Sequence, residues 1–157
     1  MSSQAKPIPN GFHSLTPYLC VNDAARAIEF YGKAFGATPI MRLADAAGRV
    51  GHAELQLGDS VLMLADEHPE YGVRSPRSFG GSPVSLHLYV EDADAVVARA
   101  VAAGAKVVRP VADQFYGDRT GGVDDPFGFH WYIATHVEDV PEDELRKRAA
   151  KAMGGAD

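Results

Sequence analysis

Hydrophobic and polar positions follow one order along the chain, and then follow it again. Over residues 13–21 they alternate, with Pro17, Leu19 and Val21 on one side and Thr16, Tyr18 and Cys20 on the other, as a half-buried strand requires. Asn22 or Asp23 offers an N-cap oxygen, and Ala24, Ala27, Ile28, Tyr31, Ala34 and Phe35 then recur at helical spacing. Gly36 closes that helix where a left-handed conformation is cheap. Three strands are predicted next, at 40–44, 50–57 and 60–65, separated by Asp45-Ala-Ala-Gly48 and by a tight turn at Gly58-Asp59. In the middle strand His52, Glu54 and Gln56 share the face opposite Ala53, Leu55 and Leu57.

The second passage starts at residue 84. Leu86, Leu88 and Val90 alternate with Ser85, His87 and Tyr89, and a helix follows with Ala93, Val96, Val97 and Ala100 on one face. These are the positions of Ala24, Ala27, Ile28 and Tyr31 at an offset of 69. Gly58-Asp-Ser-Val-Leu-Met-Leu is echoed by Gly128-Phe-His-Trp-Tyr-Ile-Ala at an offset of 70. A short strand is predicted at 106–110, a polar Gly-rich stretch at 113–122, and a closing strand at 129–135. Self-similarity at a fixed period dictates architecture, so each half reads strand, helix, strand, strand, strand. Residues 1–12 read as a mobile lead-in, and 13–137 as one domain, made of module one (13–66), a Pro- and Gly-rich linker (67–83) and module two (84–137). Residues 138–157 form a helical tail, with acids at its start and bases towards its end as the helix dipole favours, packed by Leu145, Ala149 and Met153.

The totals narrow the partners. The chain has 157 residues, 46% hydrophobic and 23% charged, which suits one globular domain. A net charge of −6 with no cluster of Lys and Arg disfavours nucleic acid. No apolar run reaches membrane-spanning length and the N-terminus lacks a signal-peptide core, so no membrane partner and a cytoplasmic location are expected. The single cysteine, Cys20, excludes an intrachain disulfide.

Four stretches in register carry a resemblance: VNDAARAIEFYGKAFGA, HAELQLGDSVLMLADE, SLHLYVEDADAVVARAVAAGA and DPFGFHWYIATHVED. Together they resemble the vicinal oxygen chelate superfamily, which includes glyoxalase I, extradiol dioxygenases, fosfomycin-resistance enzymes and bleomycin-resistance proteins. Within it they look like the glyoxalase-like proteins of the phosphonate-operon type. The resemblance spans roughly residues 17–139. It implies an α+β fold of two tandem βαβββ modules whose sheets form a shared U-shaped, barrel-like cavity, plus the C-terminal helix. It also implies a homodimer, because relatives usually dimerise, often with each site shared between chains.

In metal-dependent members, each module contributes one ligand from the start of its first strand and a Glu from its last strand. Those positions fall here on Thr16, Leu62, Ser85 and Tyr132. None is a His or carboxylate, so the resemblance does not carry the family's metal and no cofactor is expected at these positions. The residues of cavity-facing parity, Tyr18, His52, Glu54, His87, Tyr89, His130 and Tyr132, are candidate ligand-binding groups, and Arg119 in the Gly-rich stretch could clamp an anion. If His52, Glu54, His87 and His130 converge they could instead hold zinc or another divalent metal. Two functions stay open. One is a small-molecule binder of the bleomycin-resistance kind. The other is a glyoxalase-like lyase or isomerase using a shifted metal, or His52 and Glu54 as acid and base.

Overall fold

The computed structural model describes residues 4–154. Its elements, in chain order, are β1 (Tyr18–Val21), α1 (Ala24–Phe35), β2 (Thr38–Ala44), β3 (Val50–Leu57), β4 (Ser60–Asp66), β5 (Ser85–Tyr89), α2 (Ala93–Ala103), β6 (Lys106–Asp113), β7 (Asp118–Asp124), β8 (His130–His136) and α3 (Glu142–Gly154). Two short 3-10 turns, Pro69–Tyr71 and Pro76–Phe79, break the linker. The strands form two four-stranded sheets, ordered β1-β4-β3-β2 and β5-β8-β7-β6. In each, the first strand runs parallel to the last and the remaining pairs are antiparallel. The fold is α+β with two βαβββ modules and a C-terminal helix, as the repeat implies, and the sheets do not close into a barrel.

Local chemistry fixes the helices. Asp23 accepts a hydrogen bond from Arg26 N, and Asp92 accepts one from Ala95 N, so each helix has an equivalent N-cap. Gly36 ends α1 at φ 72°, in the left-handed region that glycine adopts at no steric cost. A second pair of equivalent residues lashes each helix to its sheet. Asp66 accepts from Ala24 N and Val50 N, while Thr135, at the same place in module two, accepts from Ala93 N and donates to Val90 O.

The two helices pack against each other. One continuous apolar core joins them to both sheets, through Leu19, Leu55, Leu64 and Tyr31 in module one and Val97, Val123, Trp131 and Ile133 in module two. Each sheet therefore has one face under helices and one face free of them. Trp131 lies on the helix side, as its parity with Ile133 predicts.

Three expectations need correction. The polar 113–122 stretch is not the loop its composition suggests, because residues 118–122 belong to strand β7. Its glycines are demanded by packing. A Cβ on Gly121 would stand 2.7 Å from Val111 Cγ2 and 3.3 Å from Val97 Cγ2. Met153 does not pack α3, since it is 81% exposed; Arg148 ties the helix to the chain before it by donating to Glu138 and to the carbonyl of Phe115. The offset of 70 for the closing strands is also off by one. Tyr18 pairs with Met63 and His87 pairs with Tyr132, so 69 holds for the first and closing strands alike. The residue equivalent to Tyr132 is thus Met63, whereas Leu62 lies in the core opposite Leu55.

Candidate functional site

On the helix-free face of the first sheet, β3 places His52 and Glu54 two residues apart, and β1 brings Tyr18 beside them. The Tyr18 hydroxyl lies 2.7 Å from His52 Nδ1, and His52 Nε2 lies 3.0 Å from Glu54 Oε1. An ionised carboxylate only accepts hydrogen bonds, so in the neutral imidazole Nε2 carries the proton and Nδ1 accepts from the phenol. Glu54 is only 9% exposed. It opens into a cavity of about 470 Å³ walled by Ile8, Pro9, Phe12, Met41 and Met63, so residues ahead of β1 form part of its wall. Burial, with Cys20 and Glu54 nearby, holds the Tyr18 phenol above its ordinary value.

The second sheet carries a row of rings on the corresponding face. His130 meets Tyr132 edge-on at 4.5 Å, Tyr132 stacks on His87 at 5.8 Å, and His87 lies 4.9 Å from Tyr89. Asp124 accepts from His130 Nδ1 at 2.9 Å and fixes that ring. The ring lies across Gly122, where a Cβ would come within 3.1 Å of its Cε1. At the end of the row, buried Asp118 accepts from the Tyr89 hydroxyl and from His136 Nδ1, both at 2.8 Å. Burial pushes the Asp118 carboxyl up, but the hydrogen bonds from His136 and Tyr89 outweigh it and leave it below the usual carboxylate range.

Where the modules meet, an apolar recess of about 220 Å³ opens beside His87, lined by Leu15, Pro17 and Leu62 from the first half and by Leu86 and Trp131 from the second. The structure thus gathers the candidates into two groups, Tyr18 with His52 and Glu54, and His87 with Tyr89, His130 and Tyr132. Arg119 belongs to neither. It lies on the helix side of β7, where it donates to Asp94 at 2.6 and 2.9 Å and to Asp113 at 3.1 Å, so the expected anion clamp is spent on structure.

The metal positions follow from the same geometry. Thr16, Met63, Ser85 and Tyr132 offer no transition-metal donor set, and the corrected register changes none of that. The displaced set does not assemble either. His52 is bonded to Glu54, and His130 to Asp124. Among the described residues no three His, Cys, Asp or Glu side chains converge to hold an ion. Sequence reasoning missed Met41 and Met63, which wall the cavity at Glu54, and Arg74 and Phe129, which line another cavity with Tyr18 and Cys20. For Met63 and Phe129 the signal was strand register; for Arg74, only the linker's folded course reveals its place.

A family model, the Glyoxalase/Bleomycin resistance protein/Dioxygenase superfamily, matches residues 11–133. The chain belongs to this superfamily. An uncharacterised protein of Mycobacterium tuberculosis is 46% identical over 136 residues, covering 85% of this chain and 80% of that protein. The crystal structure of an Arabidopsis thaliana protein matches with a TM-score of 0.64 and 33% identity, covering 78% of this chain and 98% of the other. TioX from a Micromonospora species matches with a TM-score of 0.62 and 28% identity, covering 80% and 99%. Superfamily membership brings the two-module architecture and leaves the reaction open, because function lives in the site and not in the fold.

Proposed function

We infer that this glyoxalase-superfamily protein binds a small organic molecule at the module junction, without the superfamily's usual metal ligands. The observation that carries the reading is the recess beside His87, which opens next to a continuous row of rings on a face free of helices. Apolar walls with a few convergent polar groups are what a small-molecule site needs. A second copy of the chain completes the enclosure. Met41 and Leu43 on the first sheet and Tyr89 on the second are 43%, 59% and 61% exposed, an apolar surface that a homodimer would cover.

The test is a melting-temperature screen of the full chain against a library of small aromatic and heteroaromatic compounds. At least one compound raises the midpoint, and His87→Ala weakens its binding several-fold. A library without a hit, or a hit insensitive to His87→Ala, removes this site. Light scattering at micromolar concentration checks the dimer separately.

The Tyr18–His52–Glu54 chain favours a second reading, an isomerase or lyase that works with these side chains as acid and base.

A further inference from the structure

A separate cavity of about 260 Å³ opens between β1 and the linker, lined by Tyr18, Cys20, Arg74, Phe79, Pro83 and Phe129. Three kinds of group meet around it. Tyr18 is the outer end of the hydrogen-bond chain through His52 to the carboxylate of Glu54. Arg74, among the described residues, has no carboxylate within ion-pair distance, so its guanidinium is free for a ligand. Phe79 and Phe129 supply apolar wall from the linker and from the second module.

We propose that this cavity is a proton-transfer site for a small carboxylic acid bearing an acidic C–H beside a carbonyl, with Arg74 holding the carboxylate and Tyr18 exchanging the proton through His52 and Glu54. The proposal rests on the reading that the protein takes up a small organic molecule, and adds to it a second place, distinct from the recess beside His87, with a substrate class and a reaction. Guanidinium is the cation best matched to a carboxylate, since it binds both oxygens at once. The ring walls suit an aryl or branched carbon skeleton.

The step balances without a redox partner. The C–H bond breaks, its proton goes to the Tyr18 oxygen, and its electron pair becomes the C=C of an enol as the carbonyl oxygen takes a proton from water. Concurrently the phenolic proton passes to His52 Nδ1, and Glu54 offsets the imidazolium charge. That imidazolium then neutralises the hydroxide left by the water. Because its surroundings hold the phenol above its ordinary value, a free phenolate is not the base. Tyr18 works only by giving up its own proton as it receives another, which is what the hydrogen bond to His52 provides.

The experiment uses the full chain and 2-oxo-4-phenylbutyrate in buffered D₂O, with loss of the C3 proton signal followed by NMR and binding followed by calorimetry. Exchange is expected to accelerate by roughly tenfold or more over protein-free buffer and to saturate with probe. Tyr18→Phe should bind the probe unchanged yet exchange at the buffer rate. Arg74→Gln should raise the half-saturating concentration with little change in the maximal rate, and Glu54→Gln should do the reverse. Saturable binding with exchange at the buffer rate, or exchange that survives Tyr18→Phe, overturns the relay and leaves ligand binding standing. No heat on titration overturns the assignment of this cavity to oxo acids, and the library screen described above judges ligand uptake on its own.

Discussion

The Tyr31 hydroxyl donates to Asp125 Oδ2 at 2.6 Å across 94 residues, and this bond joins the helix of one module to the turn of the other. Trp131 Nε1 shares the same carboxylate oxygen at 2.9 Å, while Phe127 N and Phe129 N fill its partner oxygen. Every acceptor of this buried carboxylate is met within the core. Burial, followed by the Asp125 charge, pushes the Tyr31 phenol well above its ordinary value, so it stays a donor at all working pH values. Tyr31→Phe removes one of four donors and should cost about 1–2 kcal/mol, whereas Asp125→Ala strands all four and should cost about 3–5 kcal/mol. Urea unfolding at neutral pH checks both, and equal costs would refute the network.

Gly121→Ala tests whether the polar stretch is a packed strand. The new methyl would collide with Val111 Cγ2, and overpacking of this kind costs about 1–3 kcal/mol. A melting point unchanged within error would show that β7 is loosely held.

His136 gives a pH signature. Its two nitrogens face Asp118 Oδ1 and Asp139 Oδ1, each at 2.8 Å, an arrangement that needs both to be donors. The hydrogen bond to Asp118 and then that to Asp139 raise the imidazole above its ordinary value. A raised folded value means that the contribution is complete below about pH 6.5 and fades as pH rises through the shifted value. Asp118 works in the opposite sense. Its lowered carboxyl contributes above the usual carboxylate range and loses that contribution as pH falls. His136→Gln should therefore narrow its gap to wild type as pH rises from 6 to 9, and melting curves across that range measure it.

Cys20 should be slow to alkylate. Burial, with Glu67 and Asp66 adding to it, pushes its thiol up to about 11, well above the range in which a thiolate exists near neutrality. Iodoacetamide at pH 8 is expected to react on the order of a hundredfold more slowly than with a free cysteine thiol. Rapid stoichiometric labelling would contradict the half-buried, acid-flanked environment.

Zinc titrated into chelator-treated protein should give neither a stoichiometric heat nor a melting shift, because the candidate donors are committed to Glu54 and Asp124 as hydrogen-bond partners. A one-to-one isotherm would mean that those pairs open to ligate.

Periodicity made the modules, both module helices and seven of the eight strands legible, because a repeated buried face leaves a repeated hydrophobic pattern. Strand β7 escaped, since its packing is expressed through the glycines Gly121 and Gly122, which look like a loop in isolation. Parity also placed His52, Glu54, His87, His130 and Tyr132 on the correct faces. It could not tell that Arg119 turns to the helix side, because that requires knowing that Arg119 is itself in a strand. Nor could any local pattern foretell Tyr31 meeting Asp125, or Arg74 of the linker lining the same cavity as Tyr18.

The register puts Gly122 where module one carries Glu54, since each stands opposite the equivalent residue of its closing strand, Met63 or Tyr132. The space vacated by that side chain is filled by the His130 ring. Duplicated halves have thereby acquired unlike poles, a carboxylate in one and an imidazole in the other. A molecule long enough to reach both would feel a direction along its length, and its two ends could not be exchanged.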